Sequence, residues 1–164
     1  MKIAVFPGSF DPVTVGHMDL IRRAAGLFDQ VYICAMVNAG KSPMFTGEQR
    51  FELLRASVAE LPNVTAEAWS GLLADYAREK GARYLVKGVR NGTDFDTEWS
   101  MAQINRELDG SLETVLLPAR AEYLHVSSTM VREMIKYRRA LEPYMPAAAI
   151  EIMKGWETNG NQSH

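Results

Sequence analysis

The chain has 164 residues, 47% of them hydrophobic and 23% charged, with a formal net charge of -2 at pH 7 and one cysteine. That length buries a core without disulfide or metal staples, and the balance argues against a disordered chain or a polyanion binder: duplex nucleic acid calls for a basic excess that the short Arg22-Arg23 and Arg138-Arg139 pairs do not supply. No apolar run approaches the roughly 18 residues of a membrane span, so neither a membrane partner nor a secretory leader is expected, and a reducing, cytoplasmic setting is the default.

Apolar stretches of strand length alternate with segments of helical period. The first strand is expected over residues 2–6 (KIAVF), followed by the loop PGSFDPVTVGH and a helix beginning near His17. A second strand over 30–37 (QVYICAMV) holds Cys34 in surroundings that suit a buried, inert thiol. Its loop, NAGKSPMF, leads to a helix near Thr46, where TGEQ has the spacing of a capping box. The third strand, 64–69 (VTAEAW), and the loop SGLL precede a helix near Leu72 that Gly81 closes. The fourth, 83–89 (RYLVKGV), runs into KGVRNGTDF and a helix near Phe95; the fifth, 113–118 (ETVLLP), runs into ARAEYLHVSST and a helix near Ser128. A last helix starts near Pro146, where proline suits a first turn. Polar ETNGNQSH suggests a frayed tail, 158–164, behind a single domain over 1–157. The nine methionines and Trp69, Trp99 and Trp156 read as core filler. Five strand–helix units predict a doubly wound, Rossmann-like α/β domain: a five-stranded parallel sheet, helices on both faces, and a C-terminal helical segment.

Ligands of such sheets bind beyond the carboxyl ends of the strands, and the unusual residues of this chain lie there. In the first loop Gly8 and Gly16 allow close backbone approach, Ser9 brings a hydroxyl, and His17 either donates to a phosphate oxygen or is simply a polar residue at a helix start. In the fourth, Lys87 and Arg90 flank Gly88, so two cations converge on the crevice. The fifth places Ser127, Ser128 and Thr129 at a helix start, where a cap needs only one hydroxyl. Lys41 belongs to the same rim. Two helix N-termini, three cations and a histidine suit a polyphosphate. A P-loop, a dinucleotide fingerprint and a histidine-cysteine cluster are all lacking in the sequence, which disfavours a P-loop NTPase, a dinucleotide oxidoreductase and a zinc site.

GSFDPVTVGH together with VSSTMVRE resembles the nucleotidyltransferase superfamily, whose members carry histidine or threonine, one residue, then Gly-His after the first strand, and a hydroxyl-rich element before a late helix. FPGSFDPVTVGHMDLIRRA, KSPMFTGEQR, LVKGVRNGTDFDTEWSMAQINREL and VSSTMVREM, in that order and spacing over most of the chain, are similar to the phosphopantetheine adenylyltransferase family of bacteria. Thr14 points the same way, since the nicotinamide-nucleotide and glycerol-phosphate branches typically have histidine there.

The resemblance implies transfer of the adenylyl group of ATP to 4'-phosphopantetheine, giving dephospho-coenzyme A and pyrophosphate, with Mg2+, a homohexamer, and coenzyme A as a feedback ligand. It assigns no protein ligand to the metal. His17, Lys41 and Arg90 would carry catalysis; Ser9, Lys41, Leu73, Lys87 and Asn105 would bind the acceptor. Ser9, Phe10, His17, Gly88, Val89, Arg90, Glu98 and the run Tyr123, Leu124, His125, Val126, Ser127, Ser128 and Thr129 would bind ATP. Departures from the family are Lys87 where many members have arginine, Thr97 for tyrosine, Tyr123 for tryptophan and Thr129 for serine, the last keeping the hydroxyl. A phosphate monoester has a second pKa of about 6 and is largely dianionic near neutrality, so the acceptor needs no general base. The competing readings are transfer to another phosphorylated acceptor, a coenzyme A or nucleotide sensor without turnover, and a flavodoxin-like binding domain.

Overall fold

The computed structural model describes residues 1–37 and 42–161. Its elements are β1 (Ile3–Gly8), α1 (Val15–Leu27), β2 (Gln30–Met36), α2 (Gly47–Val58), β3 (Val64–Trp69), α3 (Leu73–Glu79), β4 (Tyr84–Val89), α4 (Gly92–Leu108), β5 (Glu113–Pro118), α5 (Ser128–Lys136) and α6 (Ala147–Asn161), with one 3-10 turn at Ala121–Tyr123. The strands form a parallel sheet in the order β3-β2-β1-β4-β5, as the doubly wound reading requires. From β1 the chain moves outward through β2 and β3, then crosses back to β4 and β5. The β1/β4 boundary is therefore the topological switch point, where a crevice is expected.

Period-two alternation within the apolar strands produces two cores. Ala4 and Phe6 of β1, Val31, Ile33 and Ala35 of β2, and Val86 of β4 face the layer that holds Ile21 of α1, Leu53 and Leu54 of α2, Val131 of α5 and Ile150 of α6. Val5, Cys34 and Leu85 point the other way, onto Ala74, Tyr76 and Ala77 of α3. Cys34 is fully buried there, its Sγ 3.4 Å from Met36 Sδ, and burial pushes its thiol up to about 12. The inert-thiol reading holds.

Several boundaries or placements differ from expectation; among the methionines read as core, Met1, Met44 and Met101 are exposed, on the chain end, before α2 and on the outer face of α4. The α4 helix starts at Gly92 rather than near Phe95, because the Asn91 side chain accepts from Asp94 N at 2.9 Å and caps the helix one turn early. The polar stretch from 158 is helical as far as Asn161, where the Thr158 hydroxyl donates back to Lys154 O at 3.1 Å. Trp99 is no core residue: it is 52% exposed, on a helix whose buried face contributes only Asn105. None of the described helices is long and apolar enough to cross a membrane.

Candidate active site

Along β1 and β2 the pairing continues to Gly8↔Ala35, whereas β1 and β4 pair only at Ala4↔Tyr84 and Val5↔Leu85. Beyond Val5 comes Pro7, which has no amide hydrogen to give to a ladder. The two strands part there, and a crevice of about 440 Å³ opens between the β1–α1 loop, the end of β4 and the start of α5.

The floor is the β1–α1 loop. Gly8 is needed for a reason the sequence did not suggest: a Cβ there would sit 3.0 Å from the Phe10 ring. At Gly16 a Cβ would meet nothing closer than 3.5 Å, so the protein's own packing does not demand glycine. Phe10 itself takes a positive φ of 47°, a conformation non-glycine residues rarely adopt. This backbone carries its ring edge-on to the His17 ring, centroids 4.9 Å apart. Beneath the loop, buried Arg50 of α2 donates through Nη1 to Ser9 O at 2.8 Å and to Met36 O at 3.2 Å, tying the floor to the end of β2.

Thr14 fixes His17. Its hydroxyl oxygen accepts from His17 N at 3.2 Å and caps α1, while its own backbone N–H donates to His17 Nδ1 at 3.0 Å. An Nδ1 that accepts leaves the proton of the neutral ring on Nε2. Burial, reinforced by the charges of Arg90 and Lys87, lowers the His17 pKa from 6.5 to about 4. At neutral pH His17 is thus an uncharged, oriented Nε2–H donor. Folding disfavours its protonated form, so the stability it contributes is present above pH 6.5 and is lost as pH falls from 6.5 through about 4.

The far wall comes from β4 and α4. Lys87 Nζ lies 3.4 Å from Glu98 Oε1, and Arg90 Nε donates to Asp94 Oδ2 at 3.1 Å, with the Arg90 backbone N–H on the same oxygen at 3.0 Å. Burial opposes ionisation of Asp94, but the Arg90 side chain, backbone N–H and charge outweigh it and hold the carboxyl below its usual range. Gly88 between the cations lets Leu20 of α1 lie against the β4 backbone; a Cβ would run into the Leu20 side chain.

At the start of α5 each of the three hydroxyls has its own partner. Ser127 caps the helix through Met130 N at 3.1 Å, Ser128 Oγ donates to Pro12 O at 2.8 Å, and Thr129 Oγ1 accepts from Arg132 Nη2 at 3.0 Å. Beyond the cap at Ser127, the hydroxyls of Ser128 and Thr129 serve the β1–α1 loop and Arg132.

Of the expected site residues, Ser9, Phe10 and His17 line the crevice from the floor, Lys87, Gly88, Arg90 and Glu98 from the β4 side, and Tyr123, Val126, Ser127, Ser128 and Thr129 from the α5 side. Val89, Leu124 and His125 are chain neighbours of lining residues but do not line it themselves; Leu124 is 47% exposed. Leu73, at the first turn of α3, and Asn105 of α4 also stand outside it. Asn105 is buried, with its side-chain amide not among the buried polar atoms that lack a partner. Lys41 lies outside the described residues.

Three polar lining residues had not been singled out as site groups: Thr14, Asp94 and Arg132. Asp94 was detectable, since it follows Arg90 by the four residues that pair charges across a helix start. Arg132 was not, because its partner Asp11 is 121 residues away. Among the described residues no three His, Cys, Asp or Glu side chains cluster to hold a metal ion.

Residues 5–134 match the cytidylyltransferase-like family. Fold, crevice and match together define a nucleotidyltransferase. The chain is 50% identical over 143 residues to a phosphopantetheine adenylyltransferase of Symbiobacterium thermophilum, covering 87% of this chain and 88% of that one. It is 45% identical over 154 residues to the protein of that name in Desulforudis audaxviator, covering 94% of both, and 40% identical over 163 residues to that in Lachnoclostridium phytofermentans, covering 99% of both. The chain belongs to the phosphopantetheine adenylyltransferase family. Its fold is shared at a TM-score of 0.71 and 20% identity with a putative nicotinate-nucleotide adenylyltransferase of Vibrio parahaemolyticus, the alignment covering 94% of this chain and 93% of that one.

Proposed function

We propose that this crevice transfers the adenylyl group of ATP to the phosphate of 4'-phosphopantetheine, releasing pyrophosphate and forming dephospho-coenzyme A, the penultimate step of coenzyme A biosynthesis. The observation that carries the chemistry is His17: an oriented, neutral Nε2–H donor in the crevice that Lys87 and Arg90 also line. The reaction needs no more from the protein than position and charge neutralisation. A phosphate oxygen of the acceptor attacks the α-phosphorus, a new P–O bond forms, and the bond from the α-phosphorus to the bridging oxygen breaks, that oxygen leaving with pyrophosphate. His17 donates to the charge growing on the α-phosphate oxygens, and Lys87 and Arg90 neutralise the remaining charge. Lys41 would hold the acceptor's phosphate, with Leu73 and the side-chain amide of Asn105 along the pantetheine arm; Ser9 and Phe10, the segment 88–90, Glu98 and the run 123–129 would hold ATP. The relatives named above supply the acceptor.

A divalent ion fits this site as a passenger of ATP. Such an ion usually sits between phosphates and one or two carboxylates; here the two lining carboxylates, Asp94 and Glu98, are already paired with Arg90 and Lys87, so an ion would be held mainly by the ATP phosphates. Mg2+ bound there would neutralise phosphate charge during transfer. Coenzyme A, which shares the pantetheine arm and the adenine nucleotide with the substrates, is the proposed feedback ligand. Self-association is supported by α4, which leaves Phe95, Trp99, Met101, Ile104 and Leu108 between 45% and 52% exposed, an apolar surface that copies of the chain would cover; the homohexamer is what the family resemblance adds. Use of ATP and the single reduced cysteine suit a cytoplasmic protein.

Purified protein with ATP and Mg2+ should release pyrophosphate with 4'-phosphopantetheine and not with nicotinamide mononucleotide or glycerol 3-phosphate. Turnover with another of these acceptors would overturn the substrate and keep the class; tight ATP binding without turnover would favour a sensor. A pH profile separates the roles further. Because His17 titrates near 4, the acid limb of kcat/KM for the acceptor should fall near pH 6, the second pKa of a phosphate monoester. His17→Gln should keep that limb at lower absolute rate; a limb that disappears in the variant would assign it to the histidine.

A further inference from the structure

We propose that Asp11 is a positioning residue of this reaction: its carboxylate fixes the segment leading into α2 against the crevice floor, so that the acceptor's phosphate meets the nucleotide in line. The inference rests on the transferase function proposed above. Asp11 is 6% exposed and does not line the crevice, so it is placed to act through other groups. Oδ2 accepts from Met44 N at 3.0 Å and Oδ1 from Phe45 N at 2.9 Å, so both oxygens are taken by consecutive amides of an irregular segment. Hydrogen bonds to an ionised acceptor are about twice as strong as neutral ones. No helix or ladder satisfies those two amides, and Asp11 is what does.

The same stretch of floor is held from the opposite side by α5, through different atoms. Arg132 Nη1 donates to Asp11 O at 2.8 Å, and Ser128 Oγ donates to Pro12 O at 2.8 Å. Arg132 Nη1 also lies 3.7 Å from Asp11 Oδ2. The tie to α5 therefore runs mainly through backbone carbonyls, and the tie to residues 44 and 45 runs wholly through the side chain.

The division matters because an in-line displacement needs nucleophile and leaving group on opposite sides of the phosphorus. If the triphosphate lies against the β4 and α5 rim, in-line geometry brings the attacking phosphate in from the opposite, β2 side of the floor. That is the side on which the Asp11 carboxylate holds Met44 and Phe45, and Arg50 holds Ser9 and Met36. A shift of about 1 Å in reacting geometry can cost about 100-fold in rate.

Asp11→Asn keeps the shape and the backbone carbonyl but turns one acceptor into an NH2 that faces an N–H. Compared with wild type, on whichever acceptor the wild type uses, the variant should lose about 10- to 100-fold in kcat/KM for that acceptor. Its equilibrium affinity for ATP, read by calorimetry, should stay within about threefold. A loss of less than about threefold, or an equal loss in ATP affinity, overturns the proposal. Amide hydrogen exchange on the wild-type protein tests the tie without any variant. The Met44 and Phe45 amides should be protected although they lie outside helix and strand, and exchange at the rate of an unfolded chain overturns the proposal as well. Wild-type turnover with 4'-phosphopantetheine tests the substrate separately.

Discussion

Replacing His17 with alanine is expected to lower kcat for pyrophosphate release by about 100- to 1000-fold, or about 2.7–4 kcal/mol of barrier, while changing ATP affinity by no more than about threefold. The asymmetry follows from the charge of the ring. A neutral imidazole would gain little from ground-state ATP, whose phosphates Lys87 and Arg90 would attract in the proposed reaction, but its Nε2–H would meet negative charge as that charge grows during transfer. Only interactions stronger in the transition state accelerate the step. Orientation adds to this: the Thr14 N–H on Nδ1 and the edge of Phe10 hold the ring before substrate arrives, so no rearrangement is needed during reaction. A drop of tenfold or less, or a loss confined to ATP affinity, would remove His17 from the transfer step and leave it as a binding group.

Arg50→Met is expected to destabilise the fold by about 2–3 kcal/mol, with an urea midpoint shifted down at unchanged slope. Arg50 is 4% exposed, and its Nη1 serves the carbonyls of Ser9 and Met36. Without it two part-buried carbonyls lose a charged donor, each costing about 1–3 kcal/mol, and methionine fills much of the volume. One feature offsets the loss. Arg50 Nε is buried with no hydrogen-bond partner among the described residues, so the substitution also removes a polar atom that the native fold leaves unsatisfied. The net change corresponds to a melting temperature lower by roughly 4–12 °C for a chain of this size, measured at fixed protein concentration because assembly would add to stability. A shift under 0.5 kcal/mol (about the scatter of ordinary surface substitutions) would mean that the floor of the crevice does not depend on this brace.

Much of the molecule was legible from local pattern. Val64–Trp69 and Glu113–Pro118 stand where their apolar runs placed them, and Thr46 with Gln49 makes the reciprocal cap that TGEQ implied. Such features arise between residues a few positions apart, and the sequence displays that spacing directly. The start of α4 was misplaced by one turn because the cap is Asn91, hidden within a loop already rich in glycine and polar residues. Trp99 was read as core because size and hydrophobicity do not say which side of a helix meets the sheet; on α4 that side is nearly reduced to Asn105.

The site divides in the same way. Ser9, His17, Lys87, Arg90 and the hydroxyls at 127–129 could be found because strand-end loops of a parallel sheet converge whatever their sequence distance, and all of them line one crevice. Val89, Leu124 and His125 do not line it, since membership in a rim segment says nothing of which way each side chain turns; Leu73 in the first turn of α3 and Asn105 in α4, which only the family resemblance pointed to, also stand outside it. Thr14 was read as a mark of the family and turns out to hold the His17 tautomer.

The sequence by itself determined the alternation of strand and helix, the handed crossovers that follow from it, and the chemical character of the rim, because these depend on short-range periodicity and residue type. Only the tertiary structure decided that β1 and β4 part beyond Val5, that Asp11 joins residues 44 and 45 to the floor while Arg132 grips the same turn from α5, and that His17 is neutral. Each of these depends on burial or on a contact between distant segments, and such energies exist only once the chain has closed around them.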